Sequence, residues 1–134
     1  LTVYLSSVVG SASIGVYALA TENIVLIPRM VPLEKAQEFA DYLKVKLAYT
    51  SISGSVLAGS LVSANSLGMM VSHAIREEEL AAIKMVFDGN ITIMDSKKTA
   101  YGNLVLANDK GAIVDPRFKE TEIEKISKAL GVEA

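Results

Sequence analysis

Cysteine and tryptophan are missing from these 134 residues, and histidine occurs once. Without cysteine there is no disulfide, no thiolate nucleophile and no cysteine-ligated zinc. His73 has no second histidine to complete a metal site or a catalytic triad, so it reads as a loop or surface histidine. An excess of one charge is missing too: 13 basic residues face 15 acidic ones, a net charge of −2. That balance argues against broad nucleic-acid binding, and DNA is not an expected partner. No run of 18 uncharged apolar residues is present; 45–74 has few charges but is full of serine and glycine. A membrane span is therefore not predicted. Nor is there a charged start leading into an unbroken apolar run, so no secretory signal is read and the expected location is cytoplasmic. Ser51-Ile52-Ser53-Gly54-Ser55 could cradle an anion on open backbone N–H groups, yet no Gly-Lys-Ser/Thr follows to make a P-loop. Asp95 and Asp115 fall in or beside joints and form no helical acid–base pair, while Glu77-Glu78-Glu79 reads as a solvated first turn. No catalytic residue, cofactor or metal is assigned, and the chain is not read as an enzyme.

What is present is a repeat. The chain is 51% hydrophobic, enough for one domain with a real core. Gly15, Gly59 and Gly102 stand 44 and 43 residues apart, and each leads to an alanine five residues on, at Ala20, Ala64 and Ala107. Each segment then runs through a turn and a second apolar stretch into a helix. Ala36, Phe39 and Leu43, then Leu80, Ile83 and Phe87, then Ile123, Ile126 and Leu130 recur at i, i+3 and i+7. That spacing predicts one buried stripe on each of three helices. Pro32 suits a helix start and Gly131 a helix end. Ahead of the helices, the pairs 14–19 and 24–27, 60–63 and 69–71, and 103–106 and 112–114 are predicted as hairpin arms. Asn65 and Asn108 occupy equivalent turns. They fit side-chain capping of the turn first, and as the alternative amides gathered on one face for a partner. A further extended piece precedes each pair, at 2–5, 46–49 and 91–94. The unit is thus strand, flexible joint, hairpin, helix, in one repeat domain over 1–134. Its units are 1–44, 45–88 and 89–131, with a fourth beginning at Val132. Units of this kind cannot bury their apolar faces alone. The open end predicts either covering partner subunits or membership of a longer ring.

Three stretches carry a family likeness: Thr50-Ser51-Ile52-Ser53-Gly54-Ser55, Gly59-Ser60-Leu61-Val62-Ser63-Ala64-Asn65, and the long segment from Thr99-Ala100-Tyr101-Gly102-Asn103 to Ala112-Ile113-Val114. In order and extent the chain resembles the archaeal translation initiation factor 6 family. The resemblance implies an α/β fold of the pentein type. That is an α/β-propeller of five strand–hairpin–helix units around a pseudo-fivefold axis, here with three units in an incomplete ring or one completed by oligomerisation. It implies binding to the large ribosomal subunit near an L14-type ribosomal protein and the sarcin–ricin loop. Such binding blocks joining with the small subunit and serves ribosome biogenesis. Transferred to this chain, the contact residues are Asn65, Asn103, Asn108, Asp109 and Lys110. The alternative expectation is a self-assembling structural fragment or engineered repeat protein without ribosome binding. A homo-oligomer would then form through the open ends at 1–5 and Val132, and there would be no membrane partner. The departures are Met69-Met70-Val71-Ser72-His73 in place of a leucine-leucine-proline ending, Tyr101 in place of leucine before Gly102, and Leu1 in place of methionine. Penteins also include guanidine-modifying enzymes built on a cysteine nucleophile, which this chain does not have.

Overall fold

The computed structural model describes residues 2–134. Its order follows the repeat. A short helix α1 (Ile14–Tyr17) leads into β1 (Leu19–Ala20), β2 (Ile24–Ile27), α2 (Leu33–Leu43) and β3 (Lys46–Tyr49). Next come α3 (Ala58–Leu61), β4 (Ser63–Ala64), β5 (Gly68–Ser72), α4 (Glu77–Lys84) and β6 (Asn90–Met94). Then follow α5 (Tyr101–Leu104), β7 (Val105–Ala107), β8 (Ala112–Val114) and α6 (Glu120–Leu130). Three sheets form, in orders β1-β2-β3, β4-β5-β6 and β7-β8. In the first two, the hairpin is antiparallel and the strand beyond the helix returns parallel, with Ile24 opposite Lys46 and Gly68 opposite Asn90. Each of these two sheets therefore borrows its third strand from the following unit, which ties neighbouring units together through backbone hydrogen bonds. At β8 the same register opens with Ala112 N–H donating to Glu133 O at 3.0 Å. Among the described residues no strand extends that pairing, and the sheets do not close on themselves.

The central strands explain the continuous apolar runs. β2 is buried on both faces, with Ile24 and Leu26 in one core cluster and Val25 and Ile27 in another. β5 does the same one unit later, where Met69 and Val71 join the cluster of Leu26 while Met70 joins that of Tyr101. A two-residue period with both faces covered gives a strand with no polar side. Each cluster is in consequence shared between two units.

Three expectations are corrected. The first arms of the hairpins are not strands throughout. Residues 14–17, 58–61 and 101–104 form single helical turns, with only two or three strand residues after each. The glycines explain this. A Cβ on Gly59 would lie 2.0 Å from Gly15 O, and one on Gly102 would lie 2.0 Å from Gly59 O. The helical turns thus stack backbone on backbone from unit to unit, and only glycine permits the approach. Secondly, residues 2–5 pair with no strand; Tyr4 stacks on Tyr42 of α2 at 4.0 Å between ring centroids. Their counterparts β3 and β6 are strands because a preceding hairpin offers an edge, and residues 2–5 meet none. Thirdly, Leu43 is half exposed, and the buried stripe of α2 is carried by Ala36 and Ala40. Lys44, at φ +57°, ends the helix there, and Leu43 falls outside the packed cluster.

Candidate functional site

Three turns at equivalent positions are built by one device. Thr21 Oγ1 accepts from the N–H groups of Asn23 and Ile24, each at 3.2 Å. Asn65 Oδ1 accepts from Leu67 and Gly68 at 3.0 and 2.9 Å, and Asn108 Oδ1 from Lys110 and Gly111 at 2.8 and 3.0 Å. A side-chain oxygen that takes two successive N–H groups closes the turn between hairpin arms. The capping reading of Asn65 and Asn108 is correct for their carbonyl oxygens.

The two amides then diverge. Asn65 is buried, and its Nδ2 donates to Asn108 O at 3.0 Å and to Leu130 O at 2.8 Å. All of its hydrogen-bonding capacity is thereby used in holding unit 3 against unit 2. Asn108 is exposed and uses its oxygen alone among the described residues. Asp109 closes a second link between the tips. Its carboxylate accepts from Ser66 N–H at 2.8 Å and, by a short contact, from the Ser66 hydroxyl. Those bonds, the hydroxyl first and then the backbone N–H, hold the Asp109 carboxyl below its ordinary range. Lys110 has an exposed side chain on the same turn. The structure thus gathers Asn65, Asn108, Asp109 and Lys110 at one pair of tips. Asn103 is also exposed but stands apart on α5. A shallow hollow beside the tips is lined by Leu106, Asn108, Lys110, Ile113 and Glu133.

One carboxylate that holds the fold together escaped the sequence reading. Glu79 is not solvated: it is 4% exposed. It accepts from Ser53 N–H at 2.7 Å, Gly54 N–H at 2.9 Å and Arg76 N–H at 2.9 Å. Ser53 and Gly54 both have positive φ, 52° and 72°, so their N–H groups converge on one anion. The anion cradle suggested by Ser51–Ser55 is real, and the chain fills it with its own α4. A glutamate at the third helical position opposite a Ser-Gly pair was the available signal. In unit 3 the equivalent Glu122 turns to Lys119 N–H at 2.8 Å and to Lys98 Nζ at 3.3 Å. In unit 1 the position is Lys35. His73 is exposed in the turn after β5, and no three His, Asp or Glu residues among those described are grouped to hold a metal. No helix is long and apolar enough to cross a membrane.

Comparison with known proteins matches this repeat architecture to one family. Residues 3–134 match the eIF-6 family. The chain is 40% identical over 129 residues to "Translation initiation factor 6" of Methanocaldococcus jannaschii, covering 92% of this chain and 56% of that protein. It is 37% identical to the factor of the same name from Nitrosopumilus maritimus, covering 90% and 55%. With that of Staphylothermus marinus it shares 37% over 131 residues, covering 96% and 58%. The chain spans somewhat more than half the length of these relatives. With its three strand–hairpin–helix units matched almost from end to end, the chain belongs to the eIF-6 family.

Proposed function

We propose that this chain is a repeat scaffold of the translation initiation factor 6 type, whose two ends take up further units of the same kind, here from other copies of itself. One observation carries the reading. Ile113 lies where Leu26 and Met70 lie in the earlier units, and those two are fully buried by the next unit whereas Ile113 is 73% exposed. Leu106, directly opposite Ile113 across the hairpin, is equally open. At the other end Gly15 has open space where Gly59 and Gly102 press against a preceding turn. Residues 2–5 expose Val3 and Leu5 at the positions of β3 and β6. The two ends are complementary, and joining them repeats the contacts already made twice inside the chain. Such a contact is head to tail and extends the array. Light scattering over a range of protein concentration tests it: masses at multiples of 14.3 kDa are expected, with Ile113→Lys shifting the equilibrium to the monomer. A monomer at every concentration would remove the reading.

The second reading concerns the ribosome and is favoured by the relatives' shared name and by the exposed tips. In it the chain occupies the large ribosomal subunit, near an L14-type protein and the sarcin–ricin loop, and obstructs joining by the small subunit. Asn103, Asn108, Asp109 and Lys110 make the contacts, and Asn65 anchors the turn behind them. The mechanism is steric and makes or breaks no bond. The eIF-6 family is non-catalytic, in keeping with a chain that has no cysteine. Gradient sedimentation with isolated archaeal large and small subunits tests it. Migration with large subunits alone, lost on Asn103→Ala plus Asn108→Ala in a folded protein, is the expected result. Absence of co-migration by folded protein would leave the scaffold reading alone.

A further inference from the structure

Two kinds of joint hold the three units together, and the difference between them specifies what the open end of unit 3 receives. Between units 2 and 3, Asn65 Nδ2 donates to Leu130 O, the last carbonyl of α6, at 2.8 Å and to Asn108 O at 3.0 Å. Three residues after Asn65, a Cβ at Gly68 would run into Ala129 O. The end of α6 thus seats on an Asn-x-x-Gly turn. That helix end is closed by a left-handed residue, Gly131 at φ +65°, and by Val132 N–H donating back to Ser127 O at 3.2 Å. Between units 1 and 2 neither half of this arrangement exists. The turn has Thr21 and Ile24 in place of the asparagine and glycine. Helix α4 has eight residues where α6 has eleven, and it runs into a right-handed Met85.

Both halves recur, separately, at the two ends of the chain. In unit 3, Asn108 and Gly111 repeat the Asn-x-x-Gly turn. The Asn108 amide nitrogen donates to nothing among the described residues, and a Cβ at Gly111 would meet only Glu133 O, at 3.6 Å. In unit 1, α2 has the eleven residues of α6 and the same end: Lys44 at φ +57°, with Val45 N–H donating to Ala40 O at 3.0 Å. Leu43 stands where Leu130 stands, yet Leu130 is fully buried and Leu43 is 49% exposed. We propose that the Asn108–Gly111 turn of one copy seats the end of α2 of a second copy. Asn108 Nδ2 then donates to Leu43 O and Thr21 O of that copy, and Leu43 is covered as Leu130 is. The proposal rests on the scaffold reading above and names its joint. Continuity with the joint between units 2 and 3 selects the occupant: among the described residues, α2 is the one helix with the required end that no turn already holds. The charged residues brought together are Asp109 and Lys110 with Glu22 and Lys44, two of each sign, so charge does not oppose the contact.

A chain without cysteine allows the joint to be read by cross-linking. Between units 2 and 3, a Cβ on Gly131 would lie 3.5 Å from Leu67 Cβ, a disulfide distance. The corresponding positions across the proposed joint are Lys44 and Lys110. Lys44→Cys and Lys110→Cys proteins, mixed and mildly oxidised, are expected to give a linked dimer at a yield that neither protein reaches alone. Light scattering over a range of concentration supplies the second measure. Asn108→Asp keeps the oxygen that closes the turn and removes the donor, and Gly111→Ala adds the Cβ that the helix end cannot pass. Each is expected to weaken self-association about tenfold or more, with the melting temperature of dilute protein unchanged. Wild-type association without an excess of the mixed disulfide would overturn this joint and leave the scaffold reading in place. So would association of both variants as tight as that of the wild type. A wild-type monomer at every concentration would remove the joint and the scaffold reading together.

Discussion

Glu79 shows how much one side chain can decide. Its carboxylate joins α4 to the 51–55 joint through N–H groups that have no other acceptor in place. Glu79→Ala leaves these part-buried N–H groups without their carboxylate, and a loss of about 2 kcal/mol is expected. Glu77→Ala, at an exposed position of the same turn, is expected to change stability by less than about 0.5 kcal/mol. Urea unfolding of both variants makes the comparison. A second residue-scale expectation concerns acid. Asp115 is held at about 2, chiefly by its side-chain bond to Arg117 and then by the Arg117 N–H; Asp109 is lowered by Ser66. A folded-state value below the unfolded one stabilises above the unfolded range and loses that effect as pH falls through the folded value. Both contributions should therefore be intact at neutral pH and decline below about pH 4, Asp115 titrating last with a midpoint near 2. Carboxyl-carbon NMR against pH reads this directly, and an Asp115 midpoint near 4 would contradict it. Both groups are at the surface, so the effect on global stability is small. The turn role of Asn65 and Asn108 could be read in the sequence because it is local. The burial of Asn65 could not, since its partners Asn108 and Leu130 lie 43 and 65 residues away.

Among the elements, the helical turns α1, α3 and α5 were the least legible. Ile14-Gly15-Val16-Tyr17 and Ala58-Gly59-Ser60-Leu61 are too short for helical periodicity to separate them from strands. Their identity comes from stacking, which no local pattern encodes. Substitution tests this sharply. Gly59→Ala forces a Cβ to 2.0 Å from Gly15 O and should destabilise by about 3 kcal/mol or more. Gly15→Ala meets nothing within 4 Å, and in a helical turn it should be neutral or stabilising by up to about 1 kcal/mol. Equal effects of the two changes, measured by thermal unfolding, would dismiss the stacked-turn account. The long helices were better read. Ile126 and Leu130 are buried as their spacing requires, and Gly131 ends α6 at φ +65°. Leu43 failed because periodicity gives the face of a helix and not how far its neighbours extend along it.

At the scale of the molecule, the shared clusters predict cooperative unfolding. Met70 leaves β5 for the cluster of unit 3, while its neighbours Met69 and Val71 serve that between units 1 and 2. Met70→Ala opens a cavity in one cluster but displaces a strand belonging to both. It is expected to cost about 3 kcal/mol and to lower hydrogen-exchange protection in β2, β5 and β8 together. Protection lost around α6 alone would mean that the units melt separately, as repeat arrays with weak interfaces do.

Sequence by itself determined the unit, its threefold recurrence, the chemistry of the turns and the family resemblance. All of these rest on residues close in the chain or on spacing along it. Tertiary structure decided which unit lends a strand to which, which carboxylate fills the Ser53–Gly54 cradle, and which apolar residues stay uncovered. Ile113 and Met70 look alike in the sequence. One is open and the other closed because burial depends on a neighbouring unit being in place, and that is a property of the assembly of units and not of any segment within it.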